Sequence, residues 1–390
     1  MDIIALDKEY VAGTYNRNPI ELVSGKGSIF WDADGKEYID MGSGIGVNTF
    51  GTGDEEWIAA VTGQLGKLQH TSNLYCTQPG ALLAQLLCQK TGMKKVFFAN
   101  SGAEANECAI KVARKYSAEK KGPGCFNIVT LVNSFHGRTL TGLAATGQDV
   151  FHRHFQPLTP GFVHTPANDV AALEDCVAQC DPAGIMLECV QGEGGVLPLT
   201  AEFVTAAARL ARERDIPLII DEVQTGNGRS GMLYAYMHYG IQPDIVSTAK
   251  GLGGGLPIGA CLMGEKVQNV LGLGDHGSTY GGNPVCCAGA LSILSRLDAS
   301  LLEGVRQRSA YIFSQLCDAP GIESVTGLGL MIGVKPVMDA KEVVAVCRAK
   351  GVLCLTAKNK VRLLPPLNIP MDLLEQAVAV IREVCAQGVQ

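Results

Sequence analysis

The sequence of 390 residues lacks the features of several protein classes. It contains no apolar run of the roughly 18 to 20 residues that a bilayer requires, so we expect no association with a membrane. Its net charge of -6 gives no electrostatic basis for binding nucleic acid or an anionic lipid surface. Near Met1 no basic region precedes an apolar stretch, so we expect no secretory signal and a cytoplasmic location.

The 14 cysteines form no CxxC pair. Cys176 and Cys180 are four residues apart, but no histidine or second cysteine pair lies at zinc-ligand spacing from them. Others, such as Cys108 and Cys261, lie within apolar segments. We therefore expect buried free thiols in a reducing cytosol and no metal site.

The composition is that of a globular protein, with 47% hydrophobic and 18% charged residues. The length exceeds that of one typical domain. Past Asn283-Pro284 a long helical stretch and Gly-rich strands indicate a smaller α/β domain. We expect an N-terminal segment (1–48) that packs with this smaller domain, a large domain (49–280) and the C-terminal small domain (281–390).

The N-terminal part contains local structural signals. Two strand-like runs between Ser28 and Asp40 flank Asp34-Gly35 and predict a hairpin with a type I′ turn. Three glycines between Met41 and Asn48 indicate backbone that passes close to another group. Leucines at helical spacing, with Pro79 near the start and Gly92 as a stop, predict a helix over residues 78–91.

Short apolar strands then alternate with helical segments. This pattern is typical of an α/β protein with a mainly parallel sheet that helices cover on both faces. Five strands end in a polar, glycine-flanked motif, and ligands bind beyond the carboxyl ends of such strands. The motifs begin at Asn100, Asn133, Gln191, Asp221 and Lys250.

Lys250 follows a short apolar strand and precedes a run in which four of five residues are glycine. Burial at a strand end penalises the ammonium form and lowers the pKa of a lysine. A lysine in that condition can act as a nucleophile and hold a carbonyl as a Schiff base. By itself, however, an isolated lysine of this kind more often extends to the surface.

Two further motifs indicate an anion site and a buried carboxylate. Ser101-Gly102-Ala103 lies between a strand and a helix, where free amides suit a phosphate; alone it is an ordinary helix cap. Asp221 follows four apolar residues and needs a cationic or strongly donating partner, such as a protonated heteroaromatic nitrogen. A cap or turn is the alternative for Asp221.

Phe135, in a turn with His136, could stack on a flat ligand, and Arg138 could bind a carboxylate. Glu193, in a Gly-Glu-Gly-Gly loop, could pair with an arginine. A phosphate site, an aromatic platform, a carboxylate for a ring nitrogen and a lysine for an aldehyde are together what pyridoxal phosphate requires.

With these motifs the chain resembles the class III, ornithine-type, pyridoxal-phosphate aminotransferases of fold type I. The resemblance covers nearly the whole chain, from Tyr15 and Trp31-Asp-Ala-Asp-Gly35 to Arg362-Leu-Leu-Pro-Pro366. The specific motifs are Ser101-Gly-Ala-Glu-Ala-Asn-Glu107, Phe135-His-Gly-Arg-Thr139, Asp221-Glu-Val-Gln-Thr-Gly226 and Ser278-Thr-Tyr-Gly-Gly-Asn-Pro284.

The resemblance implies a role for each matching residue toward the cofactor. Gly102 and Ala103 are expected to bind its phosphate, Phe135 to stack on its ring, Asp221 to pair with the ring nitrogen and Gln224 to reach the ring hydroxyl. Lys250 is expected to hold the cofactor and to carry a proton between substrate Cα and cofactor C4′. Thr279 is expected to bind the phosphate in the neighbouring subunit of a homodimer with shared sites. Further cofactor contacts are implied for Ser101, Glu222 and Val223.

For the substrates, the resemblance implies that Arg138 binds the α-carboxylate of the amine donor, with Ser278 and Tyr15 nearby. Glu193 is expected to neutralise Arg362 in the first half-reaction and to release it for the α-carboxylate of glutamate in the second. Related enzymes for free ornithine carry a tyrosine near the position of Gly44. The glycine here favours an N-acylated ornithine, and the identity of the acyl group stays open, as do 4-aminobutyrate and succinyldiaminopimelate.

Two positions depart from the family pattern. Relatives usually continue Gly-His-x-His-Pro where this chain has Gly51-Thr-Gly-Asp-Glu-Glu-Trp57, a segment that could shape the dimer or the substrate entrance. Ala103 replaces a common threonine and keeps the backbone amide.

Two other functions are disfavoured by the sequence. A nucleotide-dependent oxidoreductase is disfavoured because no GxGxxG follows a strand. A non-catalytic homologue is disfavoured because Lys250, Asp221 and Arg138 are all present.

Overall fold

In the computed structural model, which describes residues 1–389, strands and helices alternate along most of the chain. The helices are α1 (Ile3–Tyr10), α2 (Ser43–Gly46), α3 (Glu55–Leu65), α4 (Gln78–Thr91), α5 (Gly102–Lys121), α6 (Leu140–Ala145), α7 (Val170–Cys180), α8 (Ala201–Glu213), α9 (Pro284–Arg296), α10 (Ala299–Leu316), α11 (Ala340–Ala349) and α12 (Met371–Ala386). Short 3₁₀ helices cover Asp149–Phe151, Ala235–Tyr239, Lys250–Leu252 and Gln387–Val389. The expected helix over 78–91 is therefore confirmed.

The strands are β1 (Leu22–Lys26), β2 (Ile29–Asp32), β3 (Glu37–Asp40), β4 (Lys95–Ala99), β5 (Ile128–Leu131), β6 (Phe162–Thr165), β7 (Gly184–Leu187), β8 (Val190–Gln191), β9 (Leu197–Pro198), β10 (Leu218–Asp221), β11 (Ile245–Thr248), β12 (Gly259–Met263), β13 (Ile322–Leu328), β14 (Met331–Pro336), β15 (Val352–Leu353), β16 (Leu355–Ala357) and β17 (Lys360–Leu363).

A seven-stranded sheet has the order β4-β12-β11-β10-β7-β5-β6. Only β12 runs against its neighbours, so the prediction of a mainly parallel sheet is confirmed. The strands β5, β7, β10 and β11 are buried at every residue, which explains their continuous apolar runs. The parallel strands bring all five polar motifs to one edge of the sheet.

Helices cover both faces of this sheet. Alternate residues of a strand point to opposite faces. Accordingly, Ile219 belongs to a buried cluster with Ile110 and Val112 of α5, whereas Ile220 packs in the larger cluster with Phe203 of α8. The prediction of two covered faces is confirmed.

Smaller sheets join the two ends of the chain. β15 pairs in parallel with β3, with Val352 opposite Ile39, so the N-terminal strands β1, β2 and β3 form one sheet with a C-terminal strand. A second sheet has the order β13-β14-β17-β16 and carries Arg362 on β17. The division into segments 1–48, 49–280 and 281–390 stays a prediction.

The expected hairpin of β2 and β3 is confirmed, but its turn differs. A type I′ turn needs positive φ at both central residues. Gly35 has φ of 80°, whereas Asp34 is not among the residues with positive φ. The Asp32 carboxylate instead accepts the amides of Asp34 and Lys36, at 3.0 and 2.9 Å, and organises a four-residue loop.

The short element α2, in the glycine-rich stretch after β3, is a left-handed turn and not a regular α-helix. Ser43, Gly44, Ile45 and Gly46 all have positive φ, of 47°, 61°, 67° and 74°. Glycine adopts this conformation freely, but a β-branched residue such as Ile45 does so only under constraint. The Asp40 carboxylate accepts the Ser43 amide at 2.8 Å, and the turn packs against the 3₁₀ helix that begins at Lys250.

All fourteen cysteines are unpaired, and eight of them are buried. Across residues 1–389, no group of three or more histidine, cysteine or acidic side chains could hold a metal ion. Within the same range, no single helix has the length and apolarity to cross a membrane. The helices α9 and α10 have that length and apolarity only when taken together, and they are bent by 75° relative to each other.

Candidate active site

The strand ends enclose a cavity of about 640 Å³. Its wall includes ten of the residues that the sequence singles out: Tyr15, Ser101, Gly102, Ala103, Phe135, Arg138, Asp221, Val223, Gln224 and Lys250. They come from α5, from the loops after β5, β10 and β11, and from the N-terminal segment. The structure therefore brings together most of the predicted residues at one place.

Five predicted residues lie outside this wall. Ser278 and Arg362 are one hydrogen bond away: the Ser278 Oγ accepts from Asn100, which lines the cavity, at 3.1 Å. Arg362 donates to Gln224 at 3.3 Å and to Glu193 at 2.6 Å. Glu222 has its carboxylate in the core, and Thr279 is exposed.

Lys250 lies at the end of β11 in a constrained backbone conformation. Its φ is 47°, in the left-handed region, where a non-glycine residue persists only if its surroundings hold it. Burial lowers the pKa of its amine below the ordinary value of 10.5, although Glu193 acts in the opposite direction. The amine is thus more easily deprotonated than that of a surface lysine.

The first turn of α5 forms a wall of donors. The Ser101 Oγ accepts the Glu104 amide at 3.2 Å and caps the helix. The first amides of a helix have no partner within it, so those of Gly102 and Ala103 are available to an anion in the cavity. A Cβ on Gly102 would lie 2.5 Å from Cγ1 of Val223, so glycine is required for Val223 to pack here.

Asp221 is held from three sides. Its Oδ2 accepts from Asn106 Nδ2 at 2.7 Å and lies 2.8 Å from His136 Nδ1, and its Oδ1 accepts the Val223 amide at 3.0 Å. Burial lowers the pKa of His136, but the hydrogen bond and charge of Asp221 outweigh burial and raise that pKa above 6.5. The carboxylate is therefore fixed in orientation at the cavity wall.

Arg138 lies against aromatic rings. Its guanidinium carbon is 4.3 Å from the centre of the Phe151 ring and 5.6 Å from that of Phe135. A guanidinium over an aromatic face is attracted to it and keeps its N–H groups free at its edge. Arg138 is thus oriented for a carboxylate in the cavity.

Glu193 and Arg362 form an ion pair beside Gln224. The Arg362 side chain is 4% exposed and that of Glu193 is 31% exposed, so the arginine is buried and the glutamate reaches solvent. A Cβ on Gly192 would lie 2.4 Å from Oε1 of Gln224, so a larger residue there would displace Gln224. The pair joins β17 to the loop after β8.

Sequence reasoning did not assign several residues of this site. Asn106, His136 and Phe151 hold Asp221 and Arg138, and Glu188 accepts the Phe135 amide at 2.9 Å. Burial raises the pKa of Glu188 to about 7. A carboxylate directly after the apolar strand at 184–187 was a usable signal for Glu188, as the turn was for His136. Asn106 lies within α5, and its place in the motif Ser101–Glu107 was its only signal.

A second cavity, of about 660 Å³, adjoins the first. Tyr15 lines both cavities, and Gly42 and Gly44 line only the second. Arg17, Asp40 and Arg348 also lie on its wall. Gly44, which the sequence links to an acyl group, therefore borders the space next to the cavity of Lys250.

Glu222, next to Asp221, is completely buried. Its carboxylate accepts from Thr225 Oγ1 at 2.6 Å and from the Tyr236 amide at 2.8 Å. Burial raises its pKa from 4.5 to about 7, against the effect of these hydrogen bonds. Its side chain is not on the cavity wall, and its expected contact with a cofactor stays a prediction.

The family model described as "Aminotransferase class-III" matches residues 10–385. The chain is 51% identical to the acetylornithine aminotransferase of Haemophilus ducreyi, over 98% of both chains. It is 42% identical to the acetylornithine aminotransferase of Caldanaerobacter subterraneus, over 99% of both.

Solved structures of aminotransferases are also similar to this chain over nearly its whole length. The N-acetylornithine aminotransferase of Stenotrophomonas maltophilia has a TM-score of 0.85 and 33% identity over 99% of both chains. The ornithine aminotransferase of Toxoplasma gondii has a TM-score of 0.95 and 31% identity, over 99% of this chain and 94% of that one.

We expect the buried carboxyl of Glu222 to make stability depend on pH. Because its pKa is 4.5 unfolded and about 7 folded, its favourable contribution is complete below pH 4.5 and is lost as pH rises to about 7. Between these limits the loss is about 3 kcal/mol. Urea unfolding of the wild type and Glu222→Gln should show a steeper decline in the wild type over this window. Parallel curves would contradict the assignment.

Proposed function

The chain belongs to the class-III aminotransferase family, and from this premise we propose that it transfers the side-chain amino group of N2-acetyl-L-ornithine to 2-oxoglutarate. The products are N-acetyl-L-glutamate 5-semialdehyde and L-glutamate, a step of arginine biosynthesis. The observation that carries the proposal is a cavity whose wall includes Lys250, Asp221 and Arg138, with a second arginine, Arg362, next to it. The two arginines have different partners. Arg138 lies on aromatic rings, whereas Arg362 is paired with Glu193.

The cofactor of this family is pyridoxal 5′-phosphate, and the described residues fit it. The free amides at the start of α5 suit its phosphate, and Asp221, fixed by His136 and Asn106, suits its ring nitrogen. When bound, it supplies an aldehyde that takes up the amino group and a ring that draws electrons from the adjacent carbon. The family match and the similarity to a solved N-acetylornithine aminotransferase show the fold type I architecture.

Each wall residue has a proposed role. Gly102 and Ala103 bind the phosphate, with Ser101 as the cap that holds the helix start. Phe135 stacks on the ring and Val223 supports its other side, while Gln224 reaches the ring hydroxyl. Asp221 keeps the ring nitrogen protonated, because a fixed carboxylate at hydrogen-bond distance favours the charged form of its partner.

Lys250 holds the cofactor through its amine and then moves a proton. Because burial lowers its pKa, the free amine can accept a proton from the substrate carbon that bears the amino group. The backbone of Lys250 fixes where that amine lies. The role of general base therefore follows from its burial and its position at the strand end.

Two arginines allow one cavity to accept two different substrates. Acetylornithine carries its only carboxylate far from the reacting amine, where Arg138 binds it, with Ser278 and Tyr15 nearby. Glutamate also has a carboxylate adjacent to its reacting amine. Glu193 masks Arg362 in the first half-reaction and leaves it in the second, so that Arg362 binds that carboxylate.

The acyl group is the finer part of the proposal. The second cavity, with Gly44 on its wall and Tyr15 shared between both, offers room for a substituent on the α-amine. Relatives named acetylornithine aminotransferases, at 39 to 51% identity, support acetyl. The alternative is another ω-aminotransferase of this family, acting on succinylornithine, succinyldiaminopimelate, ornithine or 4-aminobutyrate.

We also propose a homodimer with shared sites in the cytoplasm. Thr279, the expected contact to the neighbouring cofactor, is exposed and is not on the wall of its own cavity. Three large apolar side chains are exposed in this region: Tyr280 (62%), Leu74 (85%) and Tyr75 (71%). A small pocket is lined by Thr279, Tyr75 and His70, and the His70 ring packs beside that of Tyr280. Exposed apolar residues clustered in this way are typical of a subunit interface.

The amine specificity can be tested with the loaded enzyme. Acetylornithine, succinylornithine, ornithine and 4-aminobutyrate are each added without a keto acid, and the absorbance change of the cofactor is followed. We expect acetylornithine to react about tenfold faster than ornithine, the usual effect of one well-filled pocket. Lys250→Ala should abolish the change, and Lys341→Ala, at an exposed position, should not. Faster reaction with ornithine would overturn the substrate assignment.

The ion pair can be tested with Glu193→Gln, which leaves Arg362 without its carboxylate. We expect kcat/KM for acetylornithine relative to that for 2-oxoglutarate to fall about tenfold, as for loss of one charge-assisted hydrogen bond. Glu213→Gln is the matched control, because Glu213 pairs with Arg209 on the surface at 3.0 Å. An unchanged ratio in Glu193→Gln would rule out the exchange.

The dimer can be tested by sedimentation of Tyr280→Glu. A charge in an apolar interface is left desolvated, so we expect monomers and loss of turnover. Val337→Glu, at another exposed apolar position (52%), should remain dimeric and active. A fully active monomer at micromolar concentration would disprove the shared site.

A further inference from the structure

The segment Gly51–Trp57, where the sequence departs from the family pattern, is anchored at its centre. The Asp54 Oδ1 accepts the Trp57 amide at 2.8 Å and so caps α3. The same carboxylate binds both terminal nitrogens of Arg296, on α9, at 2.7 and 2.9 Å. A bidentate pair of this kind fixes geometry as well as charge. The first turn of α3 therefore has a defined position against α9.

Trp57 extends from this turn to the glycine-rich loop after Lys250. Its Nε1 donates to the Gly253 carbonyl at 3.0 Å. A Cβ on Gly254 would lie 3.1 Å from Trp57 Nε1, and one on Gly289 of α9 would lie 2.9 Å from it. Glycines on both sides thus make room for the indole between the loop and α9.

Two other side chains bind the same loop at alternate carbonyls. Asn227 donates to the Ala249 carbonyl at 3.1 Å, and Thr49 donates to that of Gly251 at 2.7 Å. With Trp57 at Gly253, three side chains from two parts of the chain donate to the carbonyls of residues 249, 251 and 253. Lys250 lies between the first two of these, in its left-handed conformation.

We propose that Trp57 is a positioning residue for Lys250: with Thr49 and Asn227 it holds the loop carbonyls that keep the lysine backbone in its left-handed conformation. The inference rests on the proposed role of Lys250 in the reaction. It gives the atypical segment a role at the active site, and its expected role at the dimer or substrate entrance stays a prediction.

The physical need follows from the loop itself. Glycines at 251, 253, 254 and 255 leave the backbone with more accessible conformations than any other residue would. A non-glycine residue at positive φ relaxes unless its neighbours fix it. Peptide groups held by outside donors cannot rotate freely, so the lysine keeps one direction of approach to the substrate carbon, as proton transfer requires.

The test is Trp57→Phe, which keeps an aromatic ring and removes the donor. We expect kcat to fall about tenfold in both half-reactions, with each KM within about twofold of wild type, because the change affects the lysine and not the substrate arginines. By mass spectrometry, amide hydrogen exchange over residues 250–256 should be about tenfold faster in both the loaded and the cofactor-free protein.

Trp31→Phe is the matched control, since the chain has only two tryptophans. The Trp31 Nε1 donates to the Glu37 Oε1 at 3.0 Å, far along the chain from the loop. We expect it to leave kcat and the exchange of residues 250–256 unchanged. Wild-type kcat and wild-type loop exchange in Trp57→Phe would overturn the proposal.

If Trp57→Phe does not fold, Thr49→Val decides, because it removes a neighbouring donor at constant volume. Faster loop exchange with reduced kcat would support the positioning role, and wild-type behaviour would overturn it. The loop exchange is measured without substrate. It therefore remains informative even if the wild type fails to react with acetylornithine, a result that would count only against the proposed function.

Discussion

A lysine amine that is buried and still reaches a cavity is the constraint on which the rest of this structure depends. Burial lowers the pKa of Lys250, but a lysine buried within a strand would be surrounded by apolar side chains and could reach no ligand. The end of β11 solves this conflict, since the strand is buried and the cavity begins where it stops. Because neighbouring strands run parallel, the same edge also collects the carboxylate, the aromatic ring and the anion site.

The strand-end motifs could be predicted because each combines a short apolar run with a glycine-flanked polar residue. The hydrogen bonds that hold these polar residues could not. Asn106 and His136 bind Asp221 from 115 and 85 residues away, and such pairing leaves no trace in local periodicity. Glu222 lies in the core although it follows Asp221 directly. Successive side chains at a strand end point in opposite directions, so the residue after Asp221 enters the core.

The turn of the hairpin differed from its prediction for a related reason. Asp34-Gly35 is a strong signal for a two-residue turn, but the Asp32 carboxylate offers the backbone two hydrogen bonds that favour a wider loop. Similarly, the strand and helix pattern indicated where the sheet lies, whereas the parallel pairing of β3 with β15 could not be read from either segment alone. Local preference determined the elements, and distant contacts determined how they were arranged.

The pairing of β3 with β15 also sets the order in which the molecule can be completed. Lys36 donates to the Ala349 carbonyl across 313 residues of chain. At about 5 to 20 residues per second, a ribosome needs roughly 15 to 60 seconds to make that intervening chain. During this time the first strands have no partner at their outer edge, and Arg362, on β17, has not been synthesised. The strands of the central sheet are all made by Met263, but β15 and β17, with Arg362, are added only when the last 39 residues (352–390) are synthesised.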